Sequence, residues 1–225
     1  MLARTKPASQ QLPKKARTRL ALLRAAVDLL GHEDGRLARV EDIVLSVGMT
    51  RTTFYNYFVS REEIFDIVAY ELSHHFNSAL LPIVNAESDA ARRAGIATRY
   101  YLNKAQQDTK WAWAIVNVSL NGPKLFGEET FNEASRTIVE GIASGVFSLD
   151  DPETGRDLLL GTILTAFLHI LHRNPNASYA SEITAIILRG LGVPSLKAKK
   201  IATAPLPPLP PFAAPFAGDT WAAPH

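Results

Sequence analysis

The chain contains no cysteine, which excludes a disulfide framework, cysteine-ligated zinc and thiol catalysis and is compatible with a reducing cytosol. No apolar run approaches the roughly 18–20 residues of a membrane span. The opening MLARTKPASQQLPKKARTR has charges but no apolar stretch followed by a small-residue cleavage site, so it does not read as a secretory signal. The expectation is a cytoplasmic protein with no membrane partner. Enzyme signatures are missing as well: there is no Gly-x-Ser-x-Gly, no His-Glu-x-x-His and no glycine-rich phosphate loop, so neither an enzyme nor a cofactor is expected. His169 and His172 are three apart but lack a third ligand, and the adjacent His74 and His75 point in different directions; no metal is expected. Net charge of one sign is scarce, with 24 Lys and Arg against 22 Asp and Glu.

The distribution of that charge is more informative. Ahead of the first acidic residue, Asp28, stand Arg4, Lys6, Lys14, Lys15, Arg17, Arg19 and Arg24. A one-sided basic terminus beside a foldable segment suits phosphates, although a solvated arm has the same composition. Hydrophobic residues make up 47% of the 225 residues, enough for a sizeable core. They recur at three and four rather than in alternation, which predicts an all-α protein of about nine helices with no strand. The first helix is expected over residues 15–32, the second over 40–47 and the third over 51–57. The fourth begins at the capping box Ser60-Arg61-Glu62-Glu63 and ends near Pro82,. Five more are expected at about 88–107, 109–120, 129–147, 153–173 and 179–191,. The end of the chain holds seven of its fourteen prolines. Residues 193–225 are expected to be a mostly disordered, partly polyproline-II tail.

The stretch VEDIVLSVGMTRTTFYNYF carries the functional signal. Two short helices meet at Gly48-Met49-Thr50, the layout of a helix-turn-helix. Ile43, Val44 and Val47 pack the first short helix, Gly48 permits the turn and Thr50 caps the second. Phe54 and Phe58, four apart, anchor that helix inward. Arg51, Thr52 and Asn56 form a small polar face that fits a major groove about 12 Å wide. Two short helices around a glycine also occur in bundles that bind no DNA, so spacing alone leaves both readings open.

The wording of EDIVLSVGMTRTTFYNYFVSREEIF resembles the signature of the TetR family of bacterial regulators. Ile43, Gly48, Thr50, Thr53, Tyr55, Phe58, Ser60, Glu62 or Glu63, and Ile64 fall on its positions. Val44 and Val47 replace frequent alanines, and Tyr57 stands on a usual histidine. Arg61 replaces a common lysine, and Arg39 replaces a capping threonine, trading the cap for a possible phosphate contact. The resemblance implies a three-helix DNA-binding domain over residues 15–60, preceded by a flexible basic arm over 1–14. It implies a helical effector-binding and dimerisation domain over 61–192. Arg51 and Thr52 would then meet base edges and Tyr55 bases or backbone, while Thr53, Tyr57 and Arg61 would hold phosphates. Lys14, Lys15 and Arg17 extend the basic footprint.

The same resemblance implies a homodimer on an inverted-repeat operator and a small-molecule effector, with repression as the family's usual sense. The apolar run LLLGTILTAFLHIL and the stripe after it make Leu160, Ile163, Leu164, Phe167, Ile183, Ile186 and Ile187 candidates for the dimer interface,, although a helix buried inside one monomer has the same composition. Candidate effector contacts are Tyr100, Asn103, Gln107, Trp111, Trp113, Asn117, Phe126, Phe147, Phe167 and His169, although large aromatics more often serve as plain core. The alternatives are an effector-independent architectural DNA-binding protein, or a helical enzyme or interaction protein that binds no DNA.

Overall fold

Pro13 has no amide to leave unbonded, and the first helix, α1 (Lys14–Leu30), starts directly behind it,. The structure, a computed structural model, describes residues 13–121, 124–213 and 215–216; the basic arm with Arg4 and Lys6 lies outside them. A short 3-10 turn at Gly35–Leu37 leads to α2 (Val40–Ser46) and α3 (Arg51–Tyr55), followed by α4 (Arg61–Asn85), α5 (Ala90–Gln107) and α6 (Thr109–Ser119). Then come α7 (Glu128–Ala143), α8 (Pro152–Arg173), α9 (Tyr179–Gly190) and α10 (Ser195–Thr203). All regular structure among the described residues is helical, as the three-and-four periodicity predicts.

The helix ends follow local chemistry. Thr50 Oγ1 accepts the Thr53 amide at 3.2 Å and Ser60 Oγ accepts the Glu63 amide at 3.1 Å. The Glu63 carboxylate reaches back to the amide of Val59 at 2.6 Å, one residue before the cap. Arg39 leaves α2 no hydroxyl cap, but Asp42 accepts the Arg39 amide at 2.7 Å and restores half of a capping box,. Three departures from expectation stand out. Pro82 lies inside α4 instead of ending it; only one hydrogen bond is lost there, and the last turn keeps Val84 buried,. The segment after residue 193 is not all tail, because α10 covers 195–203. Those nine residues contain no proline, and Ala198 and Ala202 are buried while Gly95 on α5 makes room for Ile201. The averaged composition of the segment hid a short amphipathic helix. Finally, α8 is long and apolar enough to pass for a membrane span on length and composition; it packs against α5, α6, α7 and α9.

Two packed units result. Leu20, Leu22, Leu23 and Leu30 of α1 enclose Ile43, Val44, Phe54, Phe58 and Ile64, all buried. In the larger unit α5 is central and touches every helix from α4 to α10. The units are joined by α4 and by α6, which packs on α1 and the 3-10 turn. The joint is polar and specific. Asn117 of α6, 1% exposed, donates to the carbonyls of Leu30 at 2.9 Å and His32 at 2.7 Å, and Lys110 meets Asp28 at 2.7 Å.

Gly35 closes the same joint. A Cβ there would lie 2.4 Å from the Leu29 carbonyl and 2.9 Å from the Asn117 amide nitrogen. Since the first obstacle is backbone, Gly35→Ala is expected to destabilise the fold by about 1–3 kcal/mol, the usual cost of overpacking, read as a lower urea midpoint with an unchanged slope. An unchanged midpoint would show the joint to be looser than these distances imply.

Candidate nucleic-acid interface and effector cavity

A five-residue helix cannot hold itself together in water, so α3 depends on what braces it. Phe54 is fully buried and Phe58 is 2% exposed, and their rings lie 5.4 Å apart. The Arg19 guanidinium of α1 sits 5.1 Å above the Phe58 ring. At the turn, Gly48 has φ +64° and open space around it, the left-handed conformation that glycine adopts without a Cβ clash. Thr50 and Thr53 bond to each other, oxygen to oxygen at 3.0 Å. Both threonines therefore serve the start of α3.

This bracing leaves Arg51, Thr52, Tyr55 and Asn56 exposed on α3 and its C-terminal end. The structure brings these four together on one outward face. Arg51 is held in place before any ligand arrives: Glu41 of α2 is 2.6 Å away and the Tyr55 ring lies 5.9 Å from its guanidinium. A hydrogen bond with Tyr55, and then the charge of Glu41, raise its pKa. Lys14, Lys15, Arg17 and Arg39 are also exposed. Tyr57, expected at phosphate, is half-buried and packed against the core. Arg61 donates to the carbonyls of Arg36 and Ala38, both at 3.3 Å, and to Glu62 at 3.0 Å. It ties the start of α4 to the loop before α2.

The expected effector residues do not converge. Trp111, Phe126 and Phe167 stack in the core with Phe76 and Tyr101, centroids 4.9–5.9 Å apart. Phe147 covers Gly141, where a Cβ would meet its ring at 2.1 Å. Asn117 belongs to the joint between the units, and Tyr100 donates its hydroxyl proton to the Pro207 carbonyl. Asn103 is half-buried and Gln107 exposed. Trp113 sits edge-on to His172 at 5.3 Å and His169 stacks on Tyr179 at 4.9 Å.

A cavity of about 50 Å³, partly open, lies elsewhere, between α4, α5, α7 and α8, and is lined mainly by apolar side chains. Its polar lining includes Asn77, Arg93, Tyr101 and Thr130. The Tyr101 hydroxyl donates to Asn77 Oδ1 at 2.9 Å and lies 2.8 Å from Thr130 Oγ1; burial drives its pKa well above the usual tyrosine value. Arg93 is 7% exposed, paired with Glu140 and bonded to the Glu87 carbonyl, yet its Nε has no partner. Buried donors are rarely left unmade, which marks this atom. The residues expected on α5, Tyr100, Asn103 and Gln107, do not line this cavity. Arg93, Ala94, Ala97, Thr98 and Tyr101 form a neighbouring face, and an arginine among small apolar residues was its signal. A larger recess of about 430 Å³ between α4 and the α6–α7 loop is rimmed by Asp66, Lys124, Glu128 and Glu129. No cluster of three metal-ligating residues occurs among the described residues.

The comparisons with known proteins agree with this architecture. Residues 89–204, more than half of the 225-residue chain, match the family described as "Tetracyclin repressor-like, C-terminal domain". Residues 22–68 match "Bacterial regulatory proteins, tetR family". The chain belongs to the TetR family. Its members are DNA-binding transcriptional regulators, a class distinct from enzymes. Among solved structures, RolR without ligand is 23% identical, covering 85% of this chain and 100% of its own, with a TM-score of 0.66. RolR bound to resorcinol, also 23% identical, covers 88% and 98% with a TM-score of 0.67. The fatty acid degradation regulator FadR from Bacillus halodurans is 18% identical, covering 82% and 100% with a TM-score of 0.60. At these identities the likeness concerns the fold. No curated protein matches the chain.

Arg51→Ala is expected to lower the preference for a selected duplex over random duplex by about tenfold, as loss of one base-reading pair does, with the thermal midpoint unchanged. Arg61→Ala should lower that midpoint, because it frees the loop before α2. Calorimetry beside DNA titrations checks both; an unchanged specificity ratio removes Arg51 from base reading.

Proposed function

We propose that this TetR-family regulator is a cytoplasmic homodimeric repressor. It binds an inverted-repeat operator through α3 and leaves it when a small molecule enters the cavity beside Arg93. The observation that carries the DNA half of this reading is the outward face of α3. Its four exposed side chains stand on a helix whose other side is locked by Phe54 and Phe58. Arg51 and Thr52 would read base edges, and Tyr55 and Asn56 bases or backbone. Lys14, Lys15, Arg17 and Arg39 would meet phosphates, which position the protein without reading sequence.

Dimerisation would follow from the outer side of α8 and α9. Of the residues expected there, Leu160, Ile163, Phe167 and Ile187 are buried within the monomer, because α8 turns one side towards α5 and α7, and α9 packs on α5. What supports an interface is the other side. Ile186 is 57% exposed and Leu158 38% exposed, Leu164, Leu168 and Ile183 are half-buried, and Gly161 faces open space. Paired with its copy, this surface makes a four-helix contact about a two-fold axis. Two recognition helices then address half-sites about 34 Å apart, or a multiple of that.

The unpaired Arg93 Nε supports the effector half and favours a sensor over an architectural protein. Because Glu140 already balances the arginine's charge, the ligand would be largely apolar with one hydrogen-bond acceptor for Nε. The cavity of about 50 Å³ exceeds one water's share of about 30 Å³ but falls short of the roughly 150 Å³ that accepts a benzene ring. A ring-sized effector would have to push the cavity walls apart. One wall is α4, which runs into the DNA-binding unit at Ser60. Displacing it changes the spacing of the two α3 helices, so operator and effector must weaken each other by the same factor.

Selection of duplexes from a random pool at stated salt, followed by titration, tests the reading. An inverted repeat is expected, and no preference among duplexes would end it. Ile186→Asp should shift the dimer towards monomer in sedimentation and weaken operator binding. Arg93→Met should leave operator affinity intact while abolishing release by any compound that releases the parent; retained release would move the effector site elsewhere.

A further inference from the structure

The family match ends at residue 204, but the chain continues as LPPLPPF from Leu206 to Phe212. A polyproline-II ribbon repeats every three residues, so Leu206, Leu209 and Phe212 share one edge. All three pack against the core, while Pro208, Pro210 and Pro211 are exposed. Proline offers no amide donor, so a surface that holds such a ribbon must grip its carbonyls and its apolar edge. This surface does both. Arg99 donates to the Ala204 carbonyl and Tyr100 to the Pro207 carbonyl. Arg24 of α1 donates to the Phe216 carbonyl at 3.0 Å. Phe212 lies edge-on to Phe76 of α4 at 5.5 Å. Lys104 sits 5.6 Å from the Phe212 ring and 5.7 Å from that of Trp111. At the far end Phe216 is 3% exposed despite φ 57°, a backbone state that contacts must offset in a residue with a Cβ.

The segment therefore starts on α5, at the centre of the larger unit, crosses the α4 and α6 aromatics, and ends on α1 of the DNA-binding unit. We propose that the surface formed by Arg24, Phe76, Arg99, Tyr100, Lys104 and Trp111 is a docking groove for the chain's own residues 205–213 and 215–216. The docked ribbon is a third tie between the two units, beside α4 and the Asn117 joint, and it holds α1 in the stance that binds operator. This role rests on the reading of the protein as a DNA-binding regulator; the docking itself does not.

Because the chain lacks cysteine, spin labels attach only where thiols are introduced. With labels at His32→Cys and Ala213→Cys, both exposed, the DNA-free protein, mixed with an excess of unlabelled chain so that each dimer carries at most one labelled protomer, should give one narrow distance distribution. Adding Phe212→Asp should broaden it while circular dichroism stays unchanged. A broad distribution in the doubly labelled parent overturns docking. Truncation after Ala204, and Phe212→Asp in the full chain, should each weaken binding to the duplex selected above by about fivefold or more, the lower end of ordinary coupling between sites. Affinities within twofold of the parent in both variants overturn the tie. If the parent itself prefers no duplex, the regulatory reading fails, whereas the label distances still decide whether the ribbon docks.

Discussion

The five residues of α3 owe their shape to burial of two phenylalanines. With σ near 10⁻³ for helix nucleation, a segment of this length is helical only because Phe54 and Phe58 are sealed under α1 and because Thr50 caps its first turn. Everything that faces outward follows from that inward commitment. Arg51, Thr52, Tyr55 and Asn56 are presented together because the side of the helix they do not occupy is fixed. Glu41 and Tyr55 then give the arginine partners on its own surface before any duplex is met. A surface ion pair of this kind contributes little to stability; its effect is on where the guanidinium waits.

The platform under α3 is in turn tied to the larger unit by polar contacts at the end of α1. Asn117 satisfies the Leu30 carbonyl at the helix end and adds a second bond to the His32 carbonyl in the turn beyond it,. Gly35 lets the chain pass close enough for this to happen. A joint made of directional hydrogen bonds suits two discrete arrangements better than a slippery apolar interface would, because a shift of an ångström breaks the bonds outright. Beside this joint, α4 runs from the smaller unit into the larger.

In the larger unit the aromatic residues and the cavity are separate things. Phe76, Tyr101, Trp111, Phe126 and Phe167 form a packed block, and the small, mainly apolar cavity lies next to it. The Tyr101 hydroxyl belongs to both, turning from the ring cluster towards Asn77 and Thr130. Arg93 is the only member of the cavity with a buried nitrogen left over.

Much of this protein was legible in its residues. The period of the apolar positions, Gly48, Thr50 and Ser60 specify where helices start and turn, since caps and left-handed glycines act over four or five residues of chain. Phe54 and Phe58 likewise announced which side of α3 is hidden. Tertiary structure decided which face of α5 lines the cavity and which side of α8 stays outside. It also decided that Arg61 and Tyr57 turn inward, that 195–203 is a helix and that the prolines after it lie on a groove. In each of these cases the sequence offers two nearly equivalent apolar faces, or a segment with no preference of its own. The choice is made by partners from 23 to 192 residues away, which local periodicity cannot sense.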